Sequence, residues 1–175
     1  MWMWIVVALV GLFVLAFLWG LLSLRRSVAT AREAILKVGL ADVDRLRAEC
    51  EAVFRDVFSE RLELSDLQGS ARILSARLDE REKLKQAFLK PGFWWYYVLP
   101  VGAWLGELLR VHAKGQWKES SGGGLEMTLP LPGGEATTFP FDKVLKQGLS
   151  GDKGDLLAYI EAATRIDEVA AGLPE

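Results

Sequence analysis

Cysteine and histidine are almost missing: the chain has one of each, Cys50 and His112. A single cysteine closes no internal disulfide, which excludes the stapled framework of small secreted domains. A single histidine excludes histidine-pair zinc motifs such as HExxH. No Asp-rich loop of EF-hand type occurs, and no glycine loop is followed by the Lys-Ser/Thr of a phosphate loop. Charge is missing from Met1–Leu24 altogether, so all 21 Lys and Arg and all 23 Asp and Glu lie beyond it. The resulting net charge of −2 leaves no electrostatic footprint for nucleic acid. No repeat of the 20–50-residue kind is present.

What fills Met1–Leu24 is apolar. As a helix it reaches roughly 36 Å, enough to cross a hydrocarbon core of about 30 Å with some tilt. A strand or loop has no backbone partner in lipid. Trp2 and Trp4 stand near one end and Trp19 near the other, where interfacial aromatics belong. A cleaved signal peptide needs a basic n-region and a shorter apolar run. Here no Lys or Arg precedes the run, and Arg25 and Arg26 separate it from the cleavage-like Ala29-Thr30-Ala31. The arginine pair follows the apolar stretch, so it is no twin-arginine signal, and Cys50 is too distant for lipid attachment. Arg25, Arg26, Arg32 and Lys37 place the body of the protein in the cytoplasm and the N-terminus outside. No ionisable residue lies in the span, so the helix is not itself an ion path. Ala16 and Gly20 make one small-xxx-small step that allows close contact with a second helix.

The remaining chain, about 150 residues, suffices for one compact domain. From Ser27 the membrane helix is expected to continue for several turns and to break near Gly39. Leu40, Val43, Leu46, Cys50, Val53, Phe54, Val57 and Phe58 recur at spacings of three and four, which predicts an amphipathic helix. Ser65-Asp66-Leu67-Gln68 reads as a capping box. The helix it opens carries Leu67, Ala71, Leu74, Leu78 and Phe88 on one face, continues into the charged stretch Asp79–Lys85, and stops at Pro91-Gly92. The two helices are expected to form an antiparallel hairpin. Phe93-Trp94-Trp95-Tyr96-Tyr97 precedes a further helix from about Val101 to Val111, with Pro100 in its first turn. Residues 93–106 are uncharged but fall short of the roughly 20 a span needs. Four successive aromatics cannot all point inward. Trp94, Trp95, Tyr96 and Tyr97 are therefore candidate contacts for a partner or the membrane interface, against core burial as the alternative.

Beyond Gly115 the pattern turns to short alternating runs. Gln116–Glu119, Leu125–Leu131 and Ala136–Phe139 predict a three-stranded antiparallel meander joined by Ser120–Gly124 and Pro132–Gly134. Pro130 argues that the second strand lies at an edge or ends early. Pro140-Phe141-Asp142 opens a short helix expected to end at Gly148. Asp155 caps a last helix with Leu156, Leu157, Ile160, Ala163 and Ile166 toward the core.

Candidate chemistry is sparse. His112 near a helix end suits the dipole. Cys50 falls on the apolar stripe of its helix, where a thiol packs as an inert hydrophobe rather than as a nucleophile paired with His112. Glu107 stands amid Trp104, Leu105, Leu108 and Leu109; if buried it needs a donor, and Arg110 at i+3 is the local one. Gly148, Gly151 and Gly154 precede a helix without a preceding strand, and Asp152 and Asp155 would repel a phosphate.

Gly102-Ala103-Trp104-Leu105-Gly106-Glu107-Leu108-Leu109-Arg110, His112, Gly115 and Trp117, then Phe139-Pro140-Phe141-Asp142-Lys143-Val144, resemble a loose group of uncharacterised bacterial α+β domains. The resemblance covers residues 101–160. It implies a small α+β fold and a bacterial source, and carries no activity or catalytic residue with it.

The expectation is an α+β protein: a transmembrane helix at 1–24, a juxtamembrane helical linker at 25–39, and a cytoplasmic domain at 40–172. That domain combines a helical hairpin, a three-stranded sheet and closing helices. Function is expected to be non-enzymatic, with no metal, cofactor or nucleic acid. The chain would serve as an accessory or scaffolding subunit of an integral membrane complex in the inner membrane. Its contacts would be the bilayer or partner through Trp2, Trp4, Ala16, Trp19, Gly20, Arg25 and Arg26, and a partner through the aromatic run. The alternatives are a membrane-tethered regulatory or immunity-type module that binds a soluble protein, and an enzyme using Glu107 or His112.

Overall fold

A computed structural model describes residues 2–80, 83–84, 96–131, 133–150 and 155–164. Its first element is one unbroken helix, α1 (Trp2–Leu36). Two different patterns share it. From Val10 to Leu22 the apolar side chains are exposed all round and bury nothing in the protein, and the helix over Val10–Leu36 is long and apolar enough to cross a membrane. From Ser27 the helix becomes amphipathic. Ser27, Val28 and Ala34 are half-buried, and Ala31, Ile35 and Val38 join the domain core. Their three- and four-residue spacing is one helix stripe. Residues 27–36 are helical as expected, and this part of the expected juxtamembrane linker packs into the domain. The break comes where glycine predicts it: Gly39 precedes a 3-10 turn (Leu40–Asp42), and the Gly39 N–H is accepted by Asp42 Oδ2 at 3.1 Å.

The next helix, α2 (Val43–Phe58), buries Val43, Leu46, Cys50 and Phe54 and ends on Ser59 at φ 55°. Leu40 and Val57, expected on the buried stripe, are about half exposed (48% and 55%). Helix α3 (Leu67–Asp79) is capped by Asp66, whose Oδ1 accepts the Gly69 N–H at 3.0 Å, and not by Ser65. Phe88 and the Pro91-Gly92 stop lie outside the described residues.

Helix α4 (Val98–His112) starts three residues earlier than its sequence suggests and is the centre of the fold. Nearly every residue from Val98 to Leu109 is buried. It is contacted by α2, α3, β1 and both closing helices. This overturns the expected hairpin: α2 packs chiefly on α4, and α3 packs chiefly on the last helix. An apolar stripe says that a face is buried, not against what, and α4, apolar all round from Val98 to Gly106, outcompetes the two-faced α2 and α3 for the central position. What remains between α2 and α3 is a link at their shared end. Arg77 bonds Glu60 at 2.6 and 2.8 Å and lies over the Phe58 ring at 4.8 Å.

Strands β1 (Gln116–Glu119), β2 (Leu125–Leu131) and β3 (Gly134–Thr138) form the expected antiparallel meander in the order β1-β2-β3. Pro130 thus sits in the central strand, yet β1 stops opposite Thr128, so a neighbour lies on one side only at Pro130. That is the local edge a proline needs. Leu125, Met127 and Leu129 point into the core, the last two over Leu109 and Ala113 of α4 and its end. Helix α5 (Pro140–Ser150) runs past Gly148, where a stop was expected. The glycine serves packing instead: a Cβ there would fall 1.9 Å from the Tyr97 hydroxyl. Helix α6 (Asp155–Thr164) starts at Asp155 and buries Leu156, Ile160 and Ala163; Ile166 lies outside the described residues.

Candidate functional site

Two places gather the residues singled out by sequence: a polar node on α4, and the junction between α1 and the domain.

The node is built on two glycines one turn apart. A Cβ on Gly102 would fall 2.5 Å from the Phe141 ring, and one on Gly106 would fall 1.9 Å from the Trp117 ring. Helix α4 therefore presents a small face, and the two rings lie on it 5.7 Å apart between centroids. Glu107 is next to this face and buried, with 7% of its side chain exposed. It has the donor expected for it. Arg110 Nε reaches both carboxylate oxygens at 3.1 and 3.0 Å, and Arg110 Nη2 reaches Oε2 at 2.9 Å. The carboxylate holds the guanidinium above its ordinary pKa. A second donor was not legible: the Trp117 indole N–H bonds Oε1 at 3.0 Å. Both oxygens of the buried charge are thus occupied, as a stable buried carboxylate requires. The Gly-Glu helix, the Trp strand and the Pro-Phe segment meet here, and what they build is a packing joint.

His112 is the last residue of α4, and its Nε2 donates to the Leu64 carbonyl at 2.6 Å. It ties the loop ahead of α3 to the central helix. It also lines a cleft of about 390 Å³ between α3 and α6, with Arg72, Gln68 and Glu161. Glu107 does not line that cleft. Cys50 is fully buried on α2, where burial pushes its thiol well above the ordinary value, and no hydrogen bond joins it to His112. Among the described residues no three His, Cys, Asp or Glu side chains converge on a common point.

At the junction, the Gly122-Gly123-Gly124 turn closes on the end of α1. Gly123 and Gly124 have φ of +91° and +74°, which favours glycine. A Cβ on Gly124 would lie 2.8 Å from the Ile35 carbonyl oxygen, and one on Gly123 would lie 3.2 Å from that of Leu36. The turn is closed by its own bonds, Gly123 N–H to the Ser120 carbonyl and Ser120 N–H to the Gly124 carbonyl. Beside it, Arg32, Ile35 and Leu36 of α1 and Asp142 and Lys146 of α5 line a groove of about 330 Å³.

The remaining candidates are placed as follows. Ala16, Trp19 and Gly20 lie on the exposed part of α1, Trp19 with 74% of its surface free, and Arg25 and Arg26 are exposed just past it. Trp2 and Trp4 belong to the first turns of α1. Trp94 and Trp95 lie outside the described residues. Tyr96 is half-buried. Tyr97 is not available to a partner: it is 1% exposed, held between the core and the gap left by Gly148.

Comparison with family models, with curated proteins and with solved structures returned no match. The likeness of residues 101–160 to bacterial α+β domains therefore rests on the motifs quoted above.

Proposed function

We propose that this chain is a single-pass membrane protein that holds its α+β domain rigidly against the cytoplasmic face of the inner membrane, as an accessory or scaffolding subunit of an integral membrane complex. The observation that carries this reading is the continuity of α1. One helix supplies both the exposed apolar stretch and two core residues of the domain, Ala31 and Ile35, with Val38 following just past its end. Ala31 follows Leu24 by seven residues, so the core begins roughly 10 Å below the end of the uncharged stretch. A flexible tether would let the domain search the cytoplasm; this one fixes its distance and rotation. Ala16 and Gly20 support a lateral partner. At about 100° per residue they share a side of the helix with Ser27 and Ala31, so a membrane helix packed on that step would sit directly above the domain.

The N-terminal end of the span is outside in this reading, because Arg25, Arg26 and Arg32 follow the span closely on its other side. A non-enzymatic role is supported by Glu107, whose carboxylate is engaged in a joint, and by the cleft at His112, which Glu107 does not line. That same cleft favours a second reading, a tethered regulatory or immunity-type module whose soluble protein partner fits between α3 and α6.

Mild-detergent affinity purification from native membranes, followed by intact-complex mass, decides between them. Stoichiometric recovery with a larger membrane assembly is expected. Recovery as a lone monomer or homodimer overturns the subunit reading, and recovery with a soluble protein alone favours the second.

A further inference from the structure

We infer that the groove between α1 and α5 binds the headgroup of an anionic phospholipid, with Arg32 and Lys146 as the ligands of its phosphate. The inference rests on the reading of α1 as a membrane span.

The charge pattern of the molecule points there. Most described cations in the domain are paired with carboxylates: Lys37 with Glu33, Arg45 with Asp42, Arg47 with Glu51, Arg77 with Glu60, Arg110 with Glu107 and Lys118 with Glu135. Arg25, Arg26, Arg32 and Lys146 have no such partner among the described residues, and all four are exposed, as is Arg72, which is also without a carboxylate partner but stands apart on α3. Three of them follow the apolar span within ten residues on α1, and the fourth faces Arg32 across the groove. Unpaired arginine and lysine beside a membrane helix are what anionic headgroups select.

The geometry fits a lipid better than a soluble anion. The groove has a charged rim and an apolar side, formed by Ile35 and Leu36, with Leu36 about half exposed. Arg32 is eight residues past Leu24, roughly 12 Å along the axis. Helix side chains tilt toward the N-terminus, which here is toward the bilayer, and an arginine reaches back by about 6 Å. The guanidinium is thereby brought to a depth of about 6 Å below the span, within a headgroup layer of roughly 5–8 Å. Arg25 lies one heptad above Arg32 on the same face and extends the basic strip to the membrane surface. Asp142 also lines the groove and opposes an anion. It stands in the first turn of α5, where a carboxylate stabilises the helix dipole, and the two cations outnumber it.

The test uses the full-length chain. It is reconstituted into vesicles of equimolar phosphatidylglycerol and phosphatidylcholine, extracted in mild detergent, and its bound lipid is read by native mass spectrometry. Wild type is expected to retain phosphatidylglycerol in preference to phosphatidylcholine. Arg32→Gln and Lys146→Gln should each lower that preference about fivefold, and Arg72→Gln, an exposed cation elsewhere, should leave it unchanged. Both substituted side chains are exposed, and an unchanged melting curve verifies folding. Equal retention of the two lipids, or a preference untouched in the double variant, overturns the inference. So does saturable binding of inorganic phosphate to the chain in phosphatidylcholine nanodiscs that the double variant abolishes, since the ligand is then a soluble anion. Carbonate extraction of the same membranes separates the two levels. A chain that stays embedded but shows no lipid preference removes this inference alone; a chain that carbonate releases removes the membrane reading with it.

Discussion

Gly106 and Trp117 occupy adjoining volumes that leave no room for a methyl group. In Gly106→Ala the new Cβ would overlap the indole, and neither the central helix nor the ring, held by Phe141 and Glu107, has free space to yield. Overpacking of this kind costs about 1–3 kcal/mol, so chemical denaturation of the detergent-solubilised variant should show a clearly lower midpoint. Glu107→Gln tests the same joint through charge. The amide keeps an acceptor for the Trp117 N–H but loses the ionic bonds to Arg110. Arg110 is 51% exposed and can return to water, so the expected cost is about 1–2 kcal/mol rather than that of a fully buried pair. Membrane complex recovery should be unchanged in this variant, and a loss of recovery without a loss of stability would mean that Glu107 does more than hold the joint. The Glu107–Arg110 pair was legible because i and i+3 meet on any helix. Trp117 was not, because its approach depends on how the chain turns at Gly115 and on the small face that Gly106 provides.

At the scale of elements, α1 has two halves with different dependence on the domain. Deleting Met1–Leu24 should release a soluble domain that still melts cooperatively, because Ala31, Ile35 and Val38 remain in place. Ile35→Ala should instead destabilise that domain by about 2–4 kcal/mol, the cost of a core truncation with its cavity. Gly124→Ala strains the other side of the same contact. It forces a side chain into φ +74° and against the Ile35 carbonyl, at an expected cost of about 1–3 kcal/mol in thermal or urea unfolding. If Gly124→Ala leaves the midpoint where it was, the turn does not hold α1. Sequence pattern located the elements themselves well: the long apolar N-terminal helix, the break at Gly39, the stripe on α2, three strands and two closing helices. It misplaced their partners. The stripe on α3 faces α6 instead of α2, and the glycine-rich turn, readable only as a connection, is the seat for a helix far away in the chain. Local periodicity reports burial; the choice among buried neighbours is a property of the whole packing. Gly148 and Tyr97 make the same point together, since a presumed helix stop proved to be a socket for a presumed surface aromatic.

For the molecule as a whole, the consequence of an unbroken α1 is a fixed rotation between the exposed apolar face of its first half, the span in the proposed reading, and the face of the domain. That rotation can be changed without touching either. One alanine inserted between Arg26 and Ser27 turns the domain by about 100° relative to Ala16 and Gly20 and lowers it by about 1.5 Å. Seven inserted residues restore the rotation to within about 20° but lower the domain by roughly 10 Å. Neither insertion alters the core stripe from Ser27 to Val38, so membrane retention and the domain melting curve should match wild type in both. A partner that contacts span and domain together should lose at least about tenfold in recovery with the single insertion, and should recover in part with seven only if the domain contact tolerates the added height. A partner held through the span alone is indifferent to both insertions. A soluble partner seated between α3 and α6 is likewise indifferent, because that cleft moves as one body with the domain. Unchanged recovery with both variants therefore rules out rigid presentation as the purpose of the continuous helix, whereas loss with the single insertion and partial return with seven identifies orientation, rather than mere attachment, as what α1 supplies.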